Sequence, residues 1–425
     1  MFGLTLKMNG ISKLRSLTII FFCMLVSSLQ LSLAKTFLVG PNQKFSKINQ
    51  ALLSTNDGDT ILVHAGNYSE GTIVINKSVV LLGINFPVLL GNNNTGTMII
   101  KSDGVIIKGI VFKNTGINFI HDNAAIRLDS VKNCVIEGNK FYNNFFGVYL
   151  SKSRHCKIIN NEIIASNTKE TFSGNGIHLW YCRDITIKDN YIRGHRDGIY
   201  LEFVRNSNIE NNYSEKNLRY GLHFMFSDSC SYSNNTFTNN GAGVAVMYTH
   251  NVTMTNNKFE QNWGGGSYGL LLKEISNSRI ENNYFFKNSS GIYIEGCTRI
   301  KSSGNNFIEN GWAIRLMANS MENTFERNNF IGNTFDISTN SIKNYNTFNN
   351  NYWSEYKGYD LNKDGIGDIP YHPVKLFSVI TERIRPTLIL LRSFFVELLN
   401  IAENIFPTLT PEALIDNKPA MRKFL

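Results

Sequence analysis

Short alternating segments recur along most of the chain. "AIRLD" (125–129), "GVYLS" (147–151), "GIHLW" (176–180), "GIYLE" (198–202), "GLHFM" (221–225), "GVAVM" (243–247), "GLLLK" (269–273), "GIYIE" (291–295) and "AIRLM" (313–317) begin 22, 29, 22, 23, 22, 26, 22 and 22 residues apart. In each, the second and fourth residues are apolar, so a strand with period-two alternation buries them and turns the third and fifth outward. A second track has the same period: Asn139, Asn161, Asn190, Asn212, Asn235, Asn257, Asn283, Asn305 and Asn328. Two tracks sharing one period predict an all-β, right-handed parallel β-helix with about 22–23 residues per coil. Successive coils then stack at about 4.8 Å, and equivalent residues become neighbours. The recurring Asn is read as a stacked turn residue that tolerates left-handed backbone and bonds through its amide to the next copy.

The pattern begins in 57–83 and 103–116 and fades after "NTFNNNYW" (346–353), which predicts a β-helix over 35–355. The two long spacings mark insertions at 166–174 and 261–269, expected as loops on a binding face. Cys134, Cys156 and Cys230 fall on another inward track and are expected as small core residues; a Cys134–Cys156 disulfide, one coil apart, is sterically open.

The outward pairs carry the chemistry. His223/Met225 is followed one coil later by Ala245/Met247, which sets Met225 beside Met247 with His223 on the same face. Thioether and imidazole together favour monovalent copper over hard cations. His178, two coils before His223, is a second station rather than a ligand of the same ion. The same methionines also suit a protein-docking surface, and the aligned Trp180, Tyr149 and Tyr200 are typical interface anchors. "RDG" (196–198) and Arg219 form a trio that fits either carboxylate binding or turn stabilisation.

Residues 1–34 read as a signal peptide: Lys7, Lys13 and Arg15 precede an apolar run and a small-residue cleavage site. Their removal changes the net charge from +9 to +9 − 3 = +6 and leaves five cysteines. No Lys/Arg block interleaved with aromatics is present, so nucleic acid is not expected as a partner. At the other end, "YDLNKDGIGDIPYHP" (359–373) places Asp360, Asn362, Asp364, Ile366 and Asp368 at positions 1, 3, 5, 7 and 9 of a calcium loop, with Tyr371 where position 12 expects Glu. It fits either a weak calcium site or an Asp/Gly-rich capping turn, within a cap spanning 356–375. Residues 376–425 are read as C-terminal helices and tail for docking on a membrane partner, with Leu391, Phe394 and Phe395 on the apolar stretch.

Parallel β-helices also cleave or epimerise acidic sugars, which needs paired carboxylates; Asp129, Glu202 and Glu295 lie several coils apart here. A carbohydrate lyase or epimerase is therefore the second reading, and no catalytic residues are assigned.

With these residues in hand, "GNGIHLWYC", "GHRDGIYLEF", "LRYGLHFMFSD", "GAGVAVMYT", "GSYGLLLKE" and "NYWSEYKGYDLNKDGIGDIPYHPV" resemble the NosD-type periplasmic family, the copper-maturation factors of nitrous-oxide reductase. The resemblance implies a non-enzymatic periplasmic protein, peripheral on the outer face of the inner membrane. It would sit on a transmembrane permease driven by a cytoplasmic ATPase. Its implied task is to take copper from a lipoprotein chaperone and pass it to apo nitrous-oxide reductase.

Overall fold

The computed structural model describes residues 34–425 except Asn93, 119–121, Ile342, Arg392 and 407–413. The signal-peptide segment, all but its last residue, lies outside the described residues. The chain winds into a parallel β-helix of about 14 coils, whose short strands line up in three parallel sheets of 14, 12 and 13 strands. The alternating segments form the 12-stranded sheet, and their registers are those the sequence spacing predicts. Ile199 pairs with Leu222 and Leu222 with Val244, and these side chains are fully buried.

Two features hold the coils in register. One is apolar stacking: Phe237, Phe259, Phe285, Phe307, Phe330 and Trp353 form an interior column with ring centroids 4.1–5.7 Å apart. The other is the Asn track. Asn212 donates through its backbone N–H (2.8 Å) and its side-chain amide (3.0 Å) to the Asn235 carbonyl oxygen Oδ1, and again to the Ile187 backbone oxygen (3.0 Å). Repeated coil after coil, this satisfies buried amides that no strand pairs, which burial would otherwise penalise. One expectation is corrected here. The ladder Asn itself does not take the left-handed backbone; the residue before it does, as at Asn160, Asn211, Asn234 and Asn256, with φ of 52–56°. The ladder residue supplies the amide, and the preceding one turns the chain.

A second ladder, not recognised in the sequence, runs five residues on: Asn217, Asn240, Asn262, Asn288, Asn310 and Asn333. The glycines that open many of the sheet strands answer to the same close approach. A Cβ on Gly221 would lie 2.7 Å from the Gly243 carbonyl oxygen.

Both ends are covered. At the start, the short helix Ile48–Ser54 directs the amides of Ile48 and Asn49 at the Glu70 carboxylate (2.6 and 2.9 Å). At the other end, the tail returns to the last coil. Leu414, Asp416 and Ala420 are buried, and Asp416 and Ala420 bridge to Phe348 and Tyr352 of the last coil. Asp416 terminates the first Asn ladder. It accepts from the Asn351 backbone and side-chain amides (both 3.0 Å), the Asn350 N–H (3.1 Å) and the Trp353 indole N–H (3.1 Å). The expected C-terminal helices form at Leu376–Arg383 and Phe394–Ile405, joined by a 3-10 turn, Arg385–Leu390, with Pro386 near its start. The first is pinned to the outer face of the 12-stranded sheet by a bidentate pair from Arg315 to Glu382 (2.6 and 2.8 Å).

Asp416→Ala strips the acceptor from the buried Trp353 and Asn351 donors. At about 1–3 kcal/mol for each unsatisfied group, we expect a clear drop in the urea midpoint. An unchanged midpoint would show that the ladder terminus is not anchored by this carboxylate.

Candidate functional site

The outer face of the 12-stranded sheet carries the predicted stripe. Met225 is the direct register partner of Met247, and His223 of Ala245, so the two methionines sit on neighbouring strands and point to the same side as the histidine. The row continues as Trp180, Glu202, Met225, Met247 and Lys273, all half-buried.

The adjacent row is more closed than an exposed stripe. Tyr149, His178, Tyr200 and His223 stack ring to ring, with centroids 4.6, 4.8 and 4.9 Å apart, because one-strand spacing is close to the contact distance of rings. His178 is buried between its two tyrosines, and its Nδ1 lies 3.0 Å from the Asn175 amide. Burial, and then the nearby Arg196 charge, push its pKa down to about 3, so it is neutral.

Behind this row sits Asp197, fully buried at the start of its strand. Arg219 grips it with both arms of its guanidinium, Nε to Oδ1 at 2.9 Å and Nη2 to Oδ2 at 2.6 Å. The His223 Nδ1 is 3.7 Å and the Arg196 Nε 3.9 Å from Oδ2. Burial alone would raise the Asp197 pKa; the His223 ring and the Arg219 fork override that and hold it at about 2. The sequence named this trio without seeing that Asp197 is its hub. Of the two basic residues, Arg219 is engaged by a carboxylate of the protein itself, while Arg196 is half-buried beside it.

His223 is the informative member. It is buried, and its Nε2 has no hydrogen-bond partner. The Arg219 Nη2 is 3.4 Å from its Nδ1. If Arg219 donates to Nδ1, Nε2 carries an unpaired hydrogen. If Nδ1–H faces Asp197, Nε2 keeps a free lone pair, the form that binds a soft ion, with a carboxylate behind the ring as metal-ligating histidines commonly have. Among the described residues no cluster of three or more His, Cys, Asp or Glu side chains is placed to hold a metal. This face carries instead two thioethers and one imidazole.

The other predicted positions fall as follows. Trp180 is half-buried, with its edge on Tyr181 and the Lys152 ammonium 5.5 Å from its ring. Tyr200 is half-buried in the ring stack. Phe394 (73% exposed) and Phe395 (51%) lie on the surface, whereas Leu391 packs inward with Phe335, Phe377 and Val396. In the Asp-rich loop the oxygens serve the turn's own backbone: Asp360 accepts from the Asp364 and Gly365 amides, Asn362 from the Asp364 amide, Asp364 from the Ile366 amide and Asp368 from the Leu361 amide. That is the capping-turn arrangement, and nothing in it supports calcium. All five cysteines of the described chain are buried free thiols, so the Cys134–Cys156 bridge is absent.

The residue after each of these strands carries a further signal. In four successive coils it is aromatic: Tyr181, Phe203, Phe226 and Tyr248. Extending the alignment by one position would have revealed it.

Fold and site define a parallel β-helix with soft donors on one outer face. The chain belongs to the family described as "Periplasmic copper-binding protein (NosD)", whose model matches residues 54–173 and 164–358. It is 28% identical over 377 residues (84% of this chain, 87% of the relative) to a probable ABC transporter binding protein NosD of Pseudomonas aeruginosa. A protein of the same name from Stutzerimonas stutzeri is 26% identical over 405 residues, covering 84% of this chain and 86% of the relative. The family is periplasmic, and among the described residues no helix is long and apolar enough to cross a membrane. Among solved structures the chain is similar to a GH87 α-1,3-glucanase of Streptomyces thermodiastaticus (TM-score 0.56, 13% identity, 72% of this chain and 62% of that one). It is also similar to a family 28 exopolygalacturonase of Yersinia enterocolitica (TM-score 0.55, 10% identity, 71% and 74%). At these identities the likeness is one of fold.

One electrostatic consequence is measurable. His195 occupies a slot of the second Asn ladder, is fully buried, and has its pKa pushed by burial down to about 4. Its folded pKa lies below the unfolded value of about 6.5, so protons bind the unfolded chain preferentially. Stability is full above about pH 6.5 and declines as pH falls toward 4. His195→Asn, which restores a ladder amide, should flatten that decline in thermal melts, with His178 leaving a residual slope. An unchanged pH profile would show that His195 contributes nothing to it.

Proposed function

We propose that this protein is a periplasmic docking and relay subunit of an ABC-type transporter that matures nitrous-oxide reductase. It receives monovalent copper from a chaperone lipoprotein and passes it to the apo-reductase. Copper is cargo in this reading. The single observation that carries it is the in-register Met225–Met247 pair, with His223, whose buried Nε2 has no hydrogen-bond partner, on the same face. Two thioethers and an imidazole select a soft monovalent ion, and a site with so few donors releases its ion readily. His178, neutral and two strands away, is the second station on the same face. The family's copper-binding description and the relatives' naming as transporter binding proteins support the assignment.

Docking on the permease falls to the C-terminal segment, 376–425, where Phe394 and Phe395 stand out of the surface. In this reading the protein sits on the outer face of the inner membrane, with ATP hydrolysis on a separate cytoplasmic subunit. The β-helical carbohydrate-enzyme reading has less to stand on. Asp197 is buried and already paired with Arg219, and Asp129 and Glu202 are three strand steps apart on the sheet, about 14 Å.

Met225→Leu with Met247→Leu removes both sulfurs at nearly constant volume, so the fold should be retained. We expect copper(I) affinity, measured by competition with a chromophoric chelator, to fall at least tenfold, and the copper content of matured reductase to fall with it. Full loading by the double variant would discard the site. Turnover of polyuronate by the wild-type protein would favour the enzymatic reading.

A further inference from the structure

The corner that follows the site strands carries an aromatic ladder with an unusual backbone. Tyr181, Phe203, Phe226 and Tyr248 occupy equivalent positions in four consecutive coils. Each takes the left-handed conformation, with φ of 51, 55, 50 and 54°. Bulky side chains rarely adopt it, and at this position other coils use Ser130, Lys152, Glu274 and Gly296. Three of the four aromatics are exposed (Tyr181 50%, Phe203 36%, Phe226 40%). Locally strained, solvent-facing aromatics in an unbroken row are not explained by the stability of the turn, and strain of this kind gathers at functional surfaces.

Two residues further along the same corner, Lys132, Arg154, Arg183 and Arg205 form a ladder of their own. They are bridged coil to coil and all exposed; the next residue of the same ladder, beside Arg205, is the half-buried Asp228, which accepts from the His250 backbone N–H, so the basic row ends before the Phe226 coil. Arg183 has Asp184 at 3.5 Å; the other three have no carboxylate partner among the described residues. Four like charges one strand spacing apart repel one another in the free protein, and that repulsion is relieved when an anionic surface covers them.

The ring geometry discriminates between kinds of partner. The rings lie nearly parallel, with centroids 4.6, 5.2 and 5.1 Å apart and interplanar angles of 20, 9 and 18°. Their faces are therefore spent on one another, and edges point to solvent. Sugars stack on ring faces, so a polysaccharide finds little here, whereas ring edges pack well into an apolar protein surface. Phe226 and Tyr248 directly follow Met225 and Met247, so a protein seated on the corner is brought to the methionine pair.

We propose that this corner is the docking surface for an acidic protein with an apolar centre, and that its occupant is the copper(I)-carrying chaperone. The identity of the occupant rests on the relay reading; the surface itself does not. The test uses the full-length mature protein and the purified, copper(I)-loaded soluble domain of the chaperone. Phe203→Asn with Phe226→Asn places at both positions a residue that accepts the left-handed backbone, so thermal stability should hold or rise while the dissociation constant weakens at least tenfold. Arg183→Glu with Arg205→Glu should slow association at least tenfold and remove most of its salt dependence. If the chaperone binds both variants as it binds wild type, the corner is not its docking surface, while the relay reading stands. If the chaperone does not bind the wild type, both fall. If apo-reductase binding is weakened by the Phe→Asn pair and chaperone binding is not, the assignment of the occupant is overturned.

Discussion

In-register stacking of one coil on the next is the constraint from which everything else in this molecule follows. It is enforced by buried amide ladders as much as by the apolar column. Each ladder Asn accepts two N–H groups from the coil before it and returns its own amide to a backbone carbonyl. A slip of one residue would leave several buried groups unpaired at every coil, and that penalty is paid once per coil rather than once per molecule. The apolar interior tolerates small readjustments; the amide ladders do not. This is why residues more than twenty positions apart reach a defined spacing on the outer face.

That rigidity shapes the outer face. Side chains projecting at strand spacing meet whether or not they are complementary. Where they are aromatic they close into a stack, as from Tyr149 to His223. Where they are charged they need a partner, which Asp197 finds in Arg219 and Arg315 finds in Glu382 from the C-terminal helix. Where they are thioethers they remain half-open, as at Met225 and Met247, with Glu202 next in the row. The Asp197–Arg219 pair behind His223 adds direction. It fixes one side of the imidazole and leaves the other without a partner.

Much of this was legible in the chain. Period, alternation and insertions led to the fold and to the Met225–Met247 register, because in a solenoid sequence spacing translates directly into spatial adjacency. The misreadings share one cause: they concern what a repeat does locally. The left-handed residue is the one before the ladder Asn, a matter of backbone geometry that an Asn-rich turn conceals. The stripe looked exposed because alternation tells inside from outside but not open from closed; ring-on-ring contact decides the latter.

The amino-acid sequence alone determined the coil, the register and the set of side chains on the outer face, since all three depend on periodicity. Tertiary structure decided which of those side chains are available. Only the folded chain shows that Arg219 is engaged by Asp197, that the His223 Nε2 is buried without a partner, that the tail returns to seat Asp416 at the end of the Asn ladder, and that Leu391 turns inward while Phe394 stays out. Availability depends on the neighbours in three dimensions that desolvate or pair a group, and a one-dimensional repeat does not record them.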